Sequence, residues 1–101
     1  MLFHVKAEHY WETCEGRLEA EGNPKATSRA ERTRWVEGSD KVKVIGAWGY
    51  QTEHTLYAII ESDDYDAVRA LFSPLMWRGP VEVRPVRDEI VIRQGFGDWG
   101  K

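Results

Sequence analysis

The sequence predicts an α+β domain in which a four-stranded antiparallel sheet carries helices on one face, in the order β-α-β-β-α-β. Two apolar, β-branched runs lie back to back in the stretch Lys41 to Glu61, KVKVIGAWGYQTEHTLYAIIE, and this pattern is typical of a β-hairpin. A strand-like and a helix-like pattern precede the hairpin, and a helix-like and a strand-like pattern follow it. With 101 residues, the chain is expected to form one domain, 1–101, whose last part from 88 to 101 is a tail.

The first predicted strand runs from Leu2 to His9. Phe3, Val5, Ala7 and His9 share one face because side chains alternate along a strand. Since the other face is mostly charged, the odd-numbered face is the predicted core face.

The segment that follows predicts a broken helix. Thr13 is placed to cap a short helix through Ala20, and the Gly-Asn-Pro sequence at 22–24 interrupts it. Ser28 and Glu31 have the spacing of a capping box for a second piece that ends near Gly38. Apolar residues are sparse here, so this segment is expected to cover the sheet thinly.

The hairpin register follows from placing its loop at Gly49 to Glu53. On the face that the helices must cover, the predicted pairs are Trp48 with His54, Gly46 with Leu56, Val44 with Ala58 and Val42 with Ile60. The opposite face then carries Ile45, Tyr57 and Ile59.

An amphipathic helix is predicted after the hairpin. Ser62, Asp63 and Asp64 supply its cap, and apolar residues recur at helical spacing: Tyr65, Val68, Leu71, Phe72 and Leu75. Pro74 ends the helix or lies in its last turn. The last strand, Val81 to Arg87, is predicted to be an edge strand because Pro85 cannot donate to a sheet.

The tail after Asp88 holds the apolar run Ile90 to Ile92, and later Phe96 and Trp99. This is more apolar than a disordered end usually is. We expect at least Ile90 to Ile92 to dock, either on the same chain or on a partner subunit.

This order of elements in about 100 residues is that of the ferredoxin-like plait. Right-handed crossovers place strand 1 between strands 3 and 4, with strand 2 at the far edge.

Three short motifs carry a family resemblance: the opening Leu2-Phe3-His4-Val5, the step Glu12-Thr13-Cys14, and the closing Val83-Arg84-Pro85-Val86. With them the chain resembles the bacterial family of domain of unknown function 3303, over most of its length outside roughly Glu15 to Trp35. That family resembles the dimeric α/β-barrel superfamily, in which two plaits pack sheet to sheet. The resemblance implies a homodimer and, through relatives that are small monooxygenases and isomerases, chemistry of those kinds; other members have no assigned activity. The charged, interrupted first helix departs from the plainer one usual there.

Composition excludes several classes of function. The net charge of −3 and the pI near 5.6 argue against a nucleic-acid partner. No apolar run approaches the length of a membrane helix, and the start lacks the features of a signal peptide, so a cytoplasmic protein is expected. A single Cys cannot form a disulfide within the chain, and the glycines do not have phosphate-loop spacing, so no cofactor is expected.

The topology brings seven candidate ligand-binding residues to one end of the sheet: His9, Trp11, Cys14, Trp48, His54, Trp77 and Arg78. Tryptophan walls with a few polar groups suit a small apolar or aromatic ligand. The alternative is that the tryptophans close the end of a small core and the histidines bond to loop backbone.

His9 and His54 are the catalytic candidates, because histidine exchanges protons near neutral pH. Together with Glu12 or Glu53 they could ligate a metal, but no closely spaced ligand motif supports one, so no metal site is expected. Cys14 near a helix start is either a reactive thiol or a small buried apolar residue.

Two classes of function remain open. One is a small-molecule site, with or without catalysis; the other is a non-catalytic dimerising or regulatory module. Ile45, Tyr57 and Ile59 outside the core favour a homodimer through the sheet face, and the alternative is a monomer with one half-polar open face.

Overall fold

The computed structural model describes residues 1–101 and contains one antiparallel sheet of four strands. The strands are β1 (Leu2–Glu8), β2 (Lys43–Tyr50), β3 (Thr55–Glu61) and β4 (Val81–Val86). Their order is β2-β3-β1-β4, so β1 lies between β3 and β4 and β2 is at the far edge. This confirms the predicted α+β class and the strand order of a ferredoxin-like plait.

Four helices accompany the sheet. They are α1 (Glu15–Ala20), α2 (Arg29–Arg32), α3 (Tyr65–Met76) and α4 (Glu89–Gly95). Single 3-10 turns occur at Trp11–Thr13, Arg34–Glu37 and Gln51–Glu53. None of the helices has the length and apolar character needed to span a bilayer.

The core lies between one face of the sheet and α3. Val5 and Ile60 from the sheet and Val68 and Phe72 from α3 are almost completely buried. Trp35 is the only buried residue of the broken first helical segment, residues 11–38, and its ring centroid lies 5.5 Å from that of Phe72. The predicted core face of β1 and the thin cover by this segment are therefore confirmed.

The predicted hairpin register is wrong. Trp48 pairs with Tyr57, not with His54, and Ala47 pairs with Ala58. The register is therefore shifted by three residues, an odd number, so the side chain of Trp48 points away from the helices.

A β-bulge between Val44 and Gly46 corrects the alternation in the first half of β2. The extra residue is Ile45, which is 53% exposed. Because of the bulge, Val44 still pairs on the helix side, opposite Ile60, and Val42 is buried as predicted.

Two of the three predicted helix caps are confirmed. The Asp64 side chain accepts from Ala67 N–H at the start of α3, and Ser28 accepts from Glu31 N–H at the start of α2. The predicted cap by Thr13 is wrong: Cys14 occupies the N-cap position of α1. The Thr13 hydroxyl instead donates to the carbonyl oxygen of Arg78 at 2.8 Å.

Pro85 lies on β4 at the edge of the sheet, as predicted. Glu8 N–H donates to the carbonyl of Pro80 across this pair, and hydrogen-bonded pairs alternate every two residues in an antiparallel ladder. The Pro85–Phe3 pair is thus a non-bonded one, with the proline nitrogen turned outward. Proline at this position removes a donor from the open edge at no cost to the ladder.

Residues 88–101, which we call the tail arm, do not dock on their own chain. The arm contains α4, and its hydrogen bonds are all made within residues 87–101. Ile90 and Val91 are 59% and 60% exposed. The radius of gyration is 16.2 Å, against about 13 Å for a compact chain of this length. The arm therefore makes no docking contact with its own chain, and docking on a partner subunit stays a prediction.

Candidate functional site

A cavity of about 440 Å³ lies between the helix-facing side of the sheet and the first helical segment. This is within the volume range of small-molecule sites. Its walls combine apolar side chains with a cluster of polar ones. Those used below are Trp35, Ala47, Leu56 and Leu75 among the apolar residues and His9, Cys14, Glu15, Arg32, His54 and Arg78 among the polar ones.

His9 and His54 form a pair at the polar end of this cavity. The backbone N–H of His9 donates to the backbone carbonyl of His54 at 3.0 Å. This bond continues the β1–β3 ladder by one pair beyond the strands. Both side chains therefore lie on the helix side, and Nε2 of His9 is 3.0 Å from Nδ1 of His54. The ring planes are nearly perpendicular, at 83°, so the imidazoles meet edge to face.

His54 has an unusual backbone conformation. Its φ of 52° and ψ of 43° place it in the left-handed region, and it is the only residue other than glycine with a positive φ. Histidine tolerates this region better than most residues do. The left-handed turn ends the 3-10 turn Gln51–Glu53 and directs the imidazole toward His9.

The environment of His9 favours its neutral form. Partial burial lowers the pKa of His9 below its usual value, and the positive charges of His54 and Arg78 lower that pKa further. A neutral imidazole can accept a proton, so His9 has the character of a base rather than of a fixed cation.

Cys14 lies beside the histidine pair. It follows the 3-10 turn Trp11–Thr13, and its thiol is free and half-buried. One ligand atom from each of His9, Cys14 and His54 can be chosen so that all three lie within 4.8 Å of one another. The fold thus gathers all but one of the chain's histidines and its single cysteine at one place.

A charged clamp holds the first helical segment against the end of α3. Glu15 accepts from both the backbone N–H and the hydroxyl of Thr27, at 2.8 and 2.9 Å, and its carboxylate is 3.5 Å from Nε of Arg78. Burial alone would raise the pKa of Glu15, but the two hydrogen bonds from Thr27 and the charges of Arg78 and Arg32 hold that pKa below its usual value. Glu15 is therefore the anionic centre of this clamp.

Two further contacts fix Arg78 next to His9. Thr13 donates its hydroxyl to the Arg78 carbonyl, as described above. Gly79 lies so close to Glu8 that a β-carbon there would overlap the Glu8 carbonyl oxygen. Only glycine permits this approach, so it sets the position of the α3–β4 connection against the end of β1.

Of the seven predicted residues, the structure brings His9, Cys14, His54 and Arg78 together around the cavity. The side chains of the three tryptophans lie elsewhere. Trp11 is 60% exposed because β1 ends at Glu8, and the Arg17 guanidinium stacks on its ring at 4.6 Å. Trp77 is 82% exposed. Trp48 borders the cavity through its place in β2, while its ring lies on the opposite face of the sheet, over Gly46.

Sequence reasoning missed several residues of the site, among them Glu15, Thr27, Arg32 and Trp35. Trp35 is the only aromatic residue in the mostly polar stretch 12–38, and this contrast is the one signal that could have marked it as a wall of the cavity. The three polar residues Glu15, Thr27 and Arg32 come together because the chain reverses direction at residues 22–24. This reversal brings Thr27 within hydrogen-bonding distance of Glu15. Nothing local in the sequence specifies that meeting.

Comparison with models of protein families gives a match over most of the chain. The model of the family described as Domain of unknown function (DUF3303) matches residues 1–94. No curated protein matches the chain.

Proposed function

We propose that this chain, which belongs to the DUF3303 family, binds a small apolar or aromatic molecule in the cavity between its sheet and its first helical segment. The observation that carries the proposal is the division of the cavity into an apolar part, with Trp35, Leu56 and Leu75, and a polar end with the histidine pair. Such a division suits a ligand that has an apolar body and one hydrogen-bonding group.

The polar end supports recognition of a carbonyl, hydroxyl or carboxylate. The ring nitrogens of His9 and His54 can donate or accept a hydrogen bond according to their tautomer, and Arg78 adds positive charge beside them. We extend the proposal to catalysis. The lowered pKa of His9 suits removal of a proton from a bound ligand. His54 would then accept a hydrogen bond from His9 or relay the proton.

A thermal-shift screen of phenols, aromatic carboxylates and quinone-like compounds tests the binding proposal. A ligand present at about 100 times its Kd stabilises the folded state by about 2.7 kcal/mol, which raises the melting temperature by roughly 10 to 20 °C for a chain of this size. Ala47→Phe places a ring in the cavity and should abolish the shift of every hit. Ala20→Phe, on the exposed end of α1, is the matched control and should keep it.

Two results would contradict this function: a screen without hits, or hits whose shift survives in Ala47→Phe with the fold intact by circular dichroism. Among true hits, His9→Ala should weaken binding of compounds with a polar group more than binding of purely apolar ones. Equal affinities would reduce the histidines to a structural role.

We also propose that two copies pair through the open face of the sheet, by which we mean the side bearing Ile45, Trp48, Tyr57 and Ile59. Ile45 and Trp48 are 53% and 58% exposed on this face of a single chain. Apolar groups clustered in this way favour an interface over contact with water. Only 12 of the 101 residues are buried in one chain, so much apolar surface remains for a partner. A dimeric module without a ligand is the second candidate function that this face supports.

A further inference from the structure

The three metal-ligating side chains at the polar end of the cavity come from separate parts of the chain. His9 follows β1, Cys14 precedes α1, and His54 closes the hairpin turn. They therefore form no motif of closely spaced ligands in the sequence. The absence of such a motif is the only ground for expecting no metal. In the fold, their ligand atoms lie within 4.8 Å of one another.

This arrangement is close to the geometry that a tetrahedral metal requires. With metal–nitrogen bonds of about 2.0 Å and metal–sulfur bonds of about 2.3 Å, ligand atoms around one ion are roughly 3.3 to 3.6 Å apart. The two ring nitrogens are 3.0 Å apart. Movements of about 1 Å, within reach of side-chain rotation, convert one arrangement into the other.

The backbone already holds the two histidines in place. His9 donates its N–H to the His54 carbonyl, and His54 keeps a left-handed conformation. Conformations of this kind are costly and tend to persist where they position a functional side chain. The backbone of the two histidine ligands is thus preorganised by the fold, and side-chain adjustment is what an ion would still have to impose.

From this geometry we infer that His9, Cys14 and His54 form a binding site for a divalent transition metal ion, with Zn²⁺ as the ion that fits best. Two imidazoles and one thiolate are ligands that zinc prefers, whereas Mg²⁺ and Ca²⁺ require oxygen ligands. Three protein ligands leave the fourth position open toward the cavity, which is the pattern of catalytic rather than structural zinc sites.

The charges around the site are compatible with a cation. Arg78 is the arginine whose charge acts on His9, and the Glu15 carboxylate lies 3.5 Å from it. Arg29 and Arg32 also line the cavity. Binding converts the Cys14 thiol to a thiolate and releases its proton to solvent, so the site gains a negative charge as the ion enters. The inference does not rest on the proposed organic ligand, since the three side chains would hold the ion alone.

Cobalt titration tests the site directly, using the full chain without a histidine tag, after EDTA treatment and removal of the chelator. Co²⁺ should give a thiolate-to-metal charge-transfer band and the visible bands of tetrahedral geometry, saturating at one equivalent, and Zn²⁺ should displace it. Cys14 is the only cysteine, so a thiolate band has no other source.

Variants assign the ligands. Cys14→Ser should abolish the charge-transfer band, and His9→Gln and His54→Asn should each weaken cobalt binding at least tenfold. Asn suits the left-handed position, which keeps the backbone of the second variant unstrained. His4→Gln is the matched control, because His4 is the third histidine and lies in β1 on the other face of the sheet.

The site would be overturned by the absence of a charge-transfer band at saturating Co²⁺. It would also be overturned if His4→Gln weakened binding as much as His9→Gln, since the ion would then bind elsewhere. Neither result would affect thermal shifts by organic ligands measured in EDTA, so failure of this site and failure of the proposed binding function are distinguishable.

Discussion

The indole ring of Trp48 lies over Gly46, so close that a β-carbon on Gly46 would overlap the outer edge of the ring. Both residues belong to β2, an edge strand. The ring shields backbone that glycine leaves bare, an arrangement known to compensate for glycine in sheets. The position of Trp48 on the open face therefore depends on the missing side chain at residue 46.

Gly46→Ala should displace this ring. Alanine in place of glycine ordinarily adds about 0.4 to 1 kcal/mol of stability where the backbone permits it. Here we expect no gain, together with a change in near-ultraviolet circular dichroism as the indole moves. Gly16→Ala, in α1, has only the Cys14 sulfur at 4.0 Å from the new carbon and should show the ordinary gain. A gain of the same size in both variants would contradict the packing of Trp48.

Arg78→Met should destabilise the fold by roughly 2 to 3 kcal/mol, because it leaves the Glu15 carboxylate partly buried without its cationic partner. Arg87→Met is the matched control. Its pair with Glu89 is also Arg–Glu, but both side chains are about 70% exposed, so we expect a change within about 0.5 kcal/mol. Urea unfolding measures the free energy of unfolding of both variants. Equal losses would show that the ion pair of Arg78 with Glu15 stabilises the fold no more than an exposed pair does.

The lowered pKa of Asp64 predicts that the stability of the fold depends on pH. The Ala67 N–H holds the pKa of the Asp64 carboxyl below its usual value; slight burial opposes this, and Lys41 at 3.4 Å adds to it. A carboxyl whose pKa is lowered by folding contributes stability that is present above about pH 4 and is lost as the pH falls through the folded pKa. The melting temperature of the wild type should therefore approach that of Asp64→Asn between about pH 5 and pH 3. A constant difference over that range would refute the linkage.

Ile45→Glu should prevent self-association. A charge on the open face would have to be desolvated in a sheet-to-sheet dimer, whereas in the monomer it stays in water. Light scattering should give the dimer mass for the wild type and the monomer mass for the variant. Tyr65→Glu, at a 60% exposed position on α3, should stay dimeric. A wild type that is monomeric at high concentration would end the dimer proposal.

Removal of residues 88–101 should weaken the dimer at least tenfold or lower its melting temperature, if the tail arm docks on a partner. Replacing Phe96 and Trp99 by Ser in the full chain tests whether the apolar side chains, and not the length of the arm, are responsible. Unchanged association and melting in both variants would mean that the arm has no docking role.

The hairpin shows which parts of the fold sequence patterns can predict. The alternation in β1 and β3 is regular, so the core face and the meeting of His9 with His54 could be predicted. The register of β2 could not be predicted, because it depends on a left-handed His54 and a bulge at Ile45, and neither has a local signature. The predicted register of β2 was wrong by three residues, so Trp48 was assigned to the helix-facing side, whereas its ring lies on the opposite side. The assignment of His54 to the helix-facing side was correct.

The site was predictable to a similar extent. Strand connectivity alone brings Arg78 and Cys14 toward the histidine pair. The contacts of Glu15 with Thr27 and Arg78 depend on how a short, polar, interrupted segment packs, and propensity carries little information on that. The convergence of His9, Cys14 and His54 was predictable from this connectivity, but the distances that would suit a metal ion were not, since the three residues are far apart in sequence.

The bulge at Ile45 and the outward-facing nitrogen of Pro85 lie on the two outer strands of the same sheet. Unpaired edges are templates on which further strands can add, and such growth leads to fibres. A bulge distorts one edge and a proline removes a donor from the other, so both ends of the sheet resist elongation. Concentrated solutions of this protein should accordingly form closed, finite particles, and deletion of Ile45 combined with Pro85→Val should be the change that makes them fibrillise.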